Sequence, residues 1–180
     1  MRRLLAVVLL NLVLFGAYSQ STFPAMETEN LKGEFHNIPQ DLEKYTLIGL
    51  AYSKKSENQL NTWYNPTYNQ FIYKPDKPSL FAGNYDVDVY FIPMFTGAKR
   101  PAYQTAMKKV KAKVDARLHP HILFYKGQLK EYKKKLGFKG KDVPYFFVLD
   151  KSGKIVYRTS GNYNQQKMQQ IVDAVEASWN

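Results

Sequence analysis

Lys44-Tyr-Thr-Leu-Ile-Gly-Leu-Ala-Tyr-Ser53-Lys-Lys-Ser56-Glu-Asn-Gln-Leu-Asn-Thr-Trp63 is the stretch whose reading decides the fold. Residues Tyr45 to Tyr52 form an apolar run bounded by charge before and by Ser-Lys-Lys-Ser after, the pattern of a strand buried on both faces of a sheet. A helix entry follows: Ser53 or Ser56 can cap, and Leu60, Tyr64 and Phe71 recur at near-helical spacing. A buried strand that ends in a short polar turn at a helix N-terminus is a common place for chemistry in α/β folds. The free N–H groups and the helix dipole there favour an anion or a thiolate.

Outward from that stretch, strands and helices alternate. Upstream, Thr22 to Pro39 reads as a hairpin turning at Asn30 to Gly33, with Phe35 and Ile38 packing inward. Downstream, Pro66 is expected to kink or end the first helix. The tyrosine- and asparagine-rich run Tyr64 to Tyr73 reads as an amphipathic helix with a tyrosine-lined inner face or as a carbohydrate-stacking surface. Lys74 to Pro78 is a loop by its prolines and charges, and Asp86 to Ile92 is a second strand stopped by Pro93.

A helix is predicted from about Ala102 to Leu118, with Tyr103, Met107, Val110, Val114 and Leu118 on one stripe. His121 to Tyr125 is a short third strand, followed by a helix through Leu129, Tyr132 and Leu136 that closes at Gly137. Val143 to Asp150 is a strand, Asp150 to Gly153 a hairpin turn, and Lys154 to Arg158 the returning strand. Gly161 precedes a last helix that buries Met168, Ile171, Val172, Val175 and Trp179. The alternation predicts a parallel sheet with right-handed crossovers.

At 180 residues the chain is long enough for one domain with a sizeable core. Met1-Arg-Arg, the apolar run Leu4 to Phe15 and the small residues of Ala17-Tyr-Ser19 describe a secretory signal peptide over 1–19, with cleavage between Ser19 and Gln20. A single domain then spans 20–180, exported to a periplasmic or extracellular location. The apolar run falls short of the ~20 residues that a spanning helix needs.

No cysteine occurs anywhere in the chain. Its absence excludes thiol chemistry, including thiol-disulfide oxidoreductase and peroxidase activity, and leaves the core to carry stability without disulfides.

The net charge is +11, and the segment Lys99 to Lys141 alone carries 14 Lys and Arg against the two acids Asp115 and Glu131. That segment is either a solvated helical face or a site of peripheral contact with an anionic surface. No nucleic-acid module and no phosphate-binding glycine loop occurs, and nucleic acid is not expected as a partner.

The order of elements resembles the thioredoxin-like superfamily, in its peroxiredoxin and thiol:disulfide-interchange branch. The residues that carry the likeness are Phe23-Pro24 with the Asn30 to Gly33 turn, the central strand, and Val143-Pro-Tyr-Phe-Phe-Val-Leu-Asp-Lys-Ser-Gly-Lys-Ile-Val-Tyr157. The resemblance implies a three-layer α/β sandwich: a mixed central sheet flanked by helices, with an N-terminal hairpin and a strand–helix insertion. It implies that Pro144 stands at the family's cis-proline and that Ser53-Lys54-Lys55-Ser56 stands in the place of Cys-x-x-Cys. The groove between that turn and Val143-Pro144 is then the candidate binding site, for an unknown protein or peptide that Lys54 and Lys55 bias toward acidic sequences. The layout is also loosely similar to the mitochondrial ATP-synthase assembly factor of this superfamily, an example of a thioredoxin-like domain used for binding or assembly.

Two other chemistries compete. A turn of two serines and two lysines is an anion site for a small molecule or, with a histidine nearby, a hydrolase nucleophile, although no Gly-x-Ser-x-Gly elbow exists. His119-Pro-His121 puts two imidazoles on one side if the segment is extended, which makes them weak metal-ligand candidates. No metal or other cofactor is expected.

Overall fold

The structure is a computed structural model that describes residues 21–74 and 85–177. The proposed signal segment 1–19, the loop prolines at 75 and 78, and Trp179 lie outside those residues. Seven strands form one sheet in the order β2-β1-β5-β4-β3-β6-β7. They are β1 (Met26–Asn30), β2 (Phe35–Ile38), β3 (Tyr45–Ala51), β4 (Val87–Thr96), β5 (Leu123–Gly127), β6 (Tyr145–Leu149) and β7 (Ile155–Ser160). β3, β4 and β5 run parallel, whereas β1, β2, β6 and β7 pair antiparallel with their neighbours. The sheet is thus mixed, and not wholly parallel as the alternation alone predicts, because the hairpins β1–β2 and β6–β7 add antiparallel pairs; helices flank both faces, the thioredoxin-like arrangement.

β3 lies near the middle because its side chains are apolar on both faces. Leu47 and Ala51 point into one core with Leu60, Trp63, Phe91, Phe146 and Ile171, while Ile48 and Leu50 point into the other with Phe23, Ile92, Tyr132 and Phe147. Each fully buried Leu or Ile contributes about 1.5–3 kcal/mol by leaving water. Gly49 lies where a larger residue has no room: a Cβ there would come within 2.7 Å of the Phe146 ring and 2.9 Å of Leu60.

The first core is covered by α1 (Lys54–Asn61), α2 (Tyr64–Thr67), α3 (Tyr103–Lys113) and α5 (Gln165–Glu176); the second is covered by α4 (Lys130–Leu136). Between α1 and α2 the helix breaks at Thr62, before Pro66 and not at it. Pro66 has no N–H to return to the carbonyl of Thr62, four residues earlier, so the break falls one turn upstream. Trp63 anchors the corner: it is fully buried, its indole N–H donates to the Gly161 carbonyl at 3.0 Å, and its ring lies 4.1 Å from that of Phe146. The helical run then ends in a wide turn over Tyr68–Ile72, closed by Tyr73 N–H donating to the Tyr68 carbonyl at 2.8 Å. Tyr64 and Tyr68 are half-buried against the core, and Tyr64 packs 4.5 Å from Phe91; only Tyr73 is strongly exposed.

Three expectations are corrected. Phe35 is 63% exposed, since β2 is an edge strand whose alternate residues face water, and Ile38 alone of the pair is buried. Pro93 does not stop β4, which continues to Thr96; it stands opposite Ala51, the last residue of β3, where a missing ladder donor costs least. The helix expected to reach Leu118 ends at Lys113, and Asp115 starts a separate 3₁₀ turn over Ala116–His121 by accepting from the Arg117 N–H. Gly137 closes α4 as expected, at φ +69°.

Candidate functional site

The turn after β3 is a complete capping box. Ser53 is the N-cap of α1, and its hydroxyl accepts from the Ser56 N–H at 3.0 Å. The Ser56 hydroxyl accepts from the N–H groups of Ser53 and Tyr52 at 2.9 and 3.1 Å and donates to the Ser53 carbonyl at 3.0 Å. Ser56 is entirely buried. Such pairing satisfies the donors that a helix start otherwise leaves open. The two hydroxyl oxygens lie 3.2 Å apart.

The Ser53 hydroxyl also donates to Asp142, at 3.1 Å, which brings the loop before β6 against the turn. Tyr52 reaches the same loop by donating to the Gly140 carbonyl at 2.8 Å. Tyr145 closes it from the other side, accepting from the Gly140 N–H at 2.7 Å and donating to its carbonyl at 2.8 Å. Phe138 stacks between the two rings, 5.4 Å from Tyr52 and 4.4 Å from Tyr145. Burial, followed by the nearby Tyr145 and Asp142, pushes the Tyr52 phenol up to about 12.

Val143 is half-buried and Pro144 buried, with the Pro144 carbonyl accepting from the Gly161 N–H at 2.9 Å. The Val143–Pro144 peptide is trans; the cis bond of the described chain is Ile38–Pro39. The cis geometry implied at Pro144 by resemblance is therefore corrected. The loop is held by the tyrosine clasp on Gly140 and by Asp142.

Lys54 and Lys55 are exposed on the first turn of α1. Lys54 lies 3.9 Å from Glu57, whose other carboxylate oxygen takes Lys99 at 2.6 Å. Glu57 thus draws two cations and offsets part of the positive charge at the helix start.

The remaining candidates do not converge on the turn. His119 donates to the Val114 carbonyl at 3.0 Å and His121 to the Val89 carbonyl at 3.1 Å. The segment Ala116–His121 is helical and not extended, so the two rings turn to separate partners. Burial pushes the His121 imidazole below its ordinary range. Among the described residues no group of three His, Asp or Glu side chains is placed to hold a metal. The basic segment divides: Lys108, Lys109, Lys111 and Lys113 ride on α3 over one face of the sheet, and Lys130, Lys133, Lys134 and Lys135 on α4 over the other.

Sequence reasoning missed Asp142, Gly140, Tyr52 and Tyr145 as parts of the site. The available signal was an acid just before Val143-Pro144 and tyrosines flanking two segments that the fold brings together.

Comparison with known proteins gives the class first. Solved structures with the same fold include the thioredoxin domain of a thiol-disulfide oxidoreductase from Bacteroides vulgatus, at 17% identity over 87% of this chain and 96% of that one, with a TM-score of 0.56. Yeast Sco1 is similar at 17% identity over 88% and 97%, with a TM-score of 0.57. The pneumococcal exposed lipoprotein thioredoxin from Streptococcus pneumoniae is similar at 13% over 83% and 98%, with a TM-score of 0.54. These likenesses establish a thioredoxin-like fold, here in a chain without cysteine. Within that class the ATP10 protein family model matches residues 11–177, and the chain belongs to the ATP10 family. No curated protein matches the chain.

Proposed function

We propose that this protein is a redox-inactive thioredoxin-like module that binds a protein or peptide and serves in recognition or assembly. The observation that carries this reading is the state of the two serines. Both hydroxyls are committed to capping α1 and to Asp142, and Ser56 is buried. A serine needs an adjacent base to act as a nucleophile, and no imidazole is bonded to either hydroxyl among the described residues. Membership of the ATP10 family, with the loose similarity to an ATP-synthase assembly factor, supports a role in assembly.

The recognition surface in this reading is the shallow region between Lys54, Lys55 and the Asp142-Val143-Pro144 loop, facing an acidic segment of the partner. Residues 1–19 export the chain to the periplasm or beyond. Capture from the native compartment with the wild-type protein and with Lys54→Glu/Lys55→Glu tests the binding site. A partner retained by the wild type and lost by the variant supports the reading; recovery of nothing that depends on these lysines sinks it. N-terminal sequencing of the mature chain tests export, with Gln20 as the expected first residue.

A further inference from the structure

The sheet has two outer edges, and β7 is one of them. Its first half is already used. Ser21–Phe23 lies antiparallel to it, with Phe23 N–H donating to the Gly153 carbonyl at 2.8 Å and Ile155 N–H donating to the Ser21 carbonyl at 3.0 Å. The Gly161 N–H donates to the Pro144 carbonyl, and with the β6 register this turns the N–H and C=O groups of Tyr157 and Thr159 toward β6 and those of Arg158 and Ser160 outward; the bulge opposite Val148 and Leu149 shifts the alternation after Ile155. No described residue pairs with that outer run.

Beside it lies a cavity of about 480 Å³ on the α4 face of the sheet. Tyr145 and Phe147, the β6 partners of Ser160 and Arg158, form its floor, and Leu136 and Gly140 line it from the α4 side. Lys139 and Arg158 supply positive charge, and among the described lining residues none is acidic. Arg158 is exposed and, among the described residues, donates to the Ser21 hydroxyl at 3.1 Å.

We infer that the outer edge of β7 from Tyr157 to Ser160, together with the Lys139–Arg158 cavity, takes an extended acidic peptide as an added strand. This rests on the reading of the protein as a peptide-binding module and places a peptide on a surface separate from Lys54 and Lys55. Main-chain bonds to Arg158 and Ser160 supply register-independent affinity, and alternate side chains of the added strand fall on the cavity face. An acidic side chain there meets Arg158 and Lys139, while a second copy of β7 would bring Lys154 and Arg158 against like charge. The same loop that lines the cavity at Gly140 is bonded to Tyr52, which connects the edge mechanically to the turn.

The test is selection of decapeptides from a random display library against the full chain, followed by affinity measurement on the synthesised peptides. Acids are expected at alternate positions. Arg158→Glu and, independently, Ser160→Pro are each expected to weaken binding about tenfold or more, the second because it removes one outward N–H without touching the β6 ladder. Lys54→Glu/Lys55→Glu should leave this binding unchanged, and backbone amide exchange should slow at Arg158 and Ser160 in the bound state. Peptides whose binding ignores both edge substitutions, or depends on Lys54 and Lys55, overturn the inference and leave the binding reading intact. A library that yields no binder removes the edge site alone, because capture of a partner through Lys54 and Lys55 is scored separately.

Discussion

The Ser53 hydroxyl donates to the Asp142 carboxylate at 3.1 Å, joining residues 89 apart in the chain. It places a carboxylate against the N-terminus of α1. Thiols introduced by Ser53→Cys/Ser56→Cys would stand where the hydroxyl oxygens are 3.2 Å apart, and a disulfide is expected to close under mild oxidation. The reduced pair is expected to alkylate slowly at neutral pH despite the helix dipole, because Asp142 disfavours a thiolate at position 53. Adding Asp142→Asn should speed alkylation by a factor on the order of ten. Mass spectrometry under iodoacetamide reads both outcomes; equal rates with and without Asp142→Asn would refute the electrostatic account.

Ser56→Ala is expected to destabilise the fold by about 2 kcal/mol, more than a surface cap, because it strips the Tyr52 and Ser53 N–H groups of their acceptor in a buried setting. Urea denaturation measures it. A loss of a few tenths of a kcal/mol would show that water replaces the hydroxyl.

Gly49→Ala is expected to cost about 1–3 kcal/mol through overpacking, since the added methyl meets Phe146 and Leu60 across the β3 and α1 interface. Pairing it with Leu60→Val, which frees space beside the new methyl, should recover part of the loss. Strict additivity of the two substitutions would contradict the contact.

Alkaline pH should unfold the protein in a defined window. The Tyr52 phenol is held up to about 12 from an ordinary value of 10, first by burial and then by Tyr145 and Asp142. Below pH 10 it is neutral in both states; between 10 and 12 the unfolded chain ionises first, so stability falls as pH rises through that range. Tyr64, Tyr103 and Tyr132 are raised in the same direction by burial and add to the fall. Tyr52→Phe is expected to lose about 1 kcal/mol at pH 7 with its Gly140 bond, yet to decline less steeply above pH 10. An unchanged slope would assign the alkaline transition to the other tyrosines.

The sequence by itself determined the central strand, the capped helix after it, the β6–β7 hairpin with its Asp150 to Gly153 turn and the Gly137 stop. Each of these depends on local chemistry: an apolar run with both faces buried, a serine at a helix start, a glycine at positive φ. The lack of cysteine was equally plain. Only the tertiary structure decided how far β4 and α3 run, that Phe35 faces water, that Val143–Pro144 is trans, and that His119 and His121 part company. Asp142, Gly140, Tyr52 and Tyr145 became one site through contacts between β3 and the loop before β6. The basic excess, contiguous in sequence, was divided between two faces because α3 and α4 cover opposite sides of the sheet. Strand order sets these relationships, and order in a sheet follows from which buried faces meet across long stretches of chain, information that no local pattern carries.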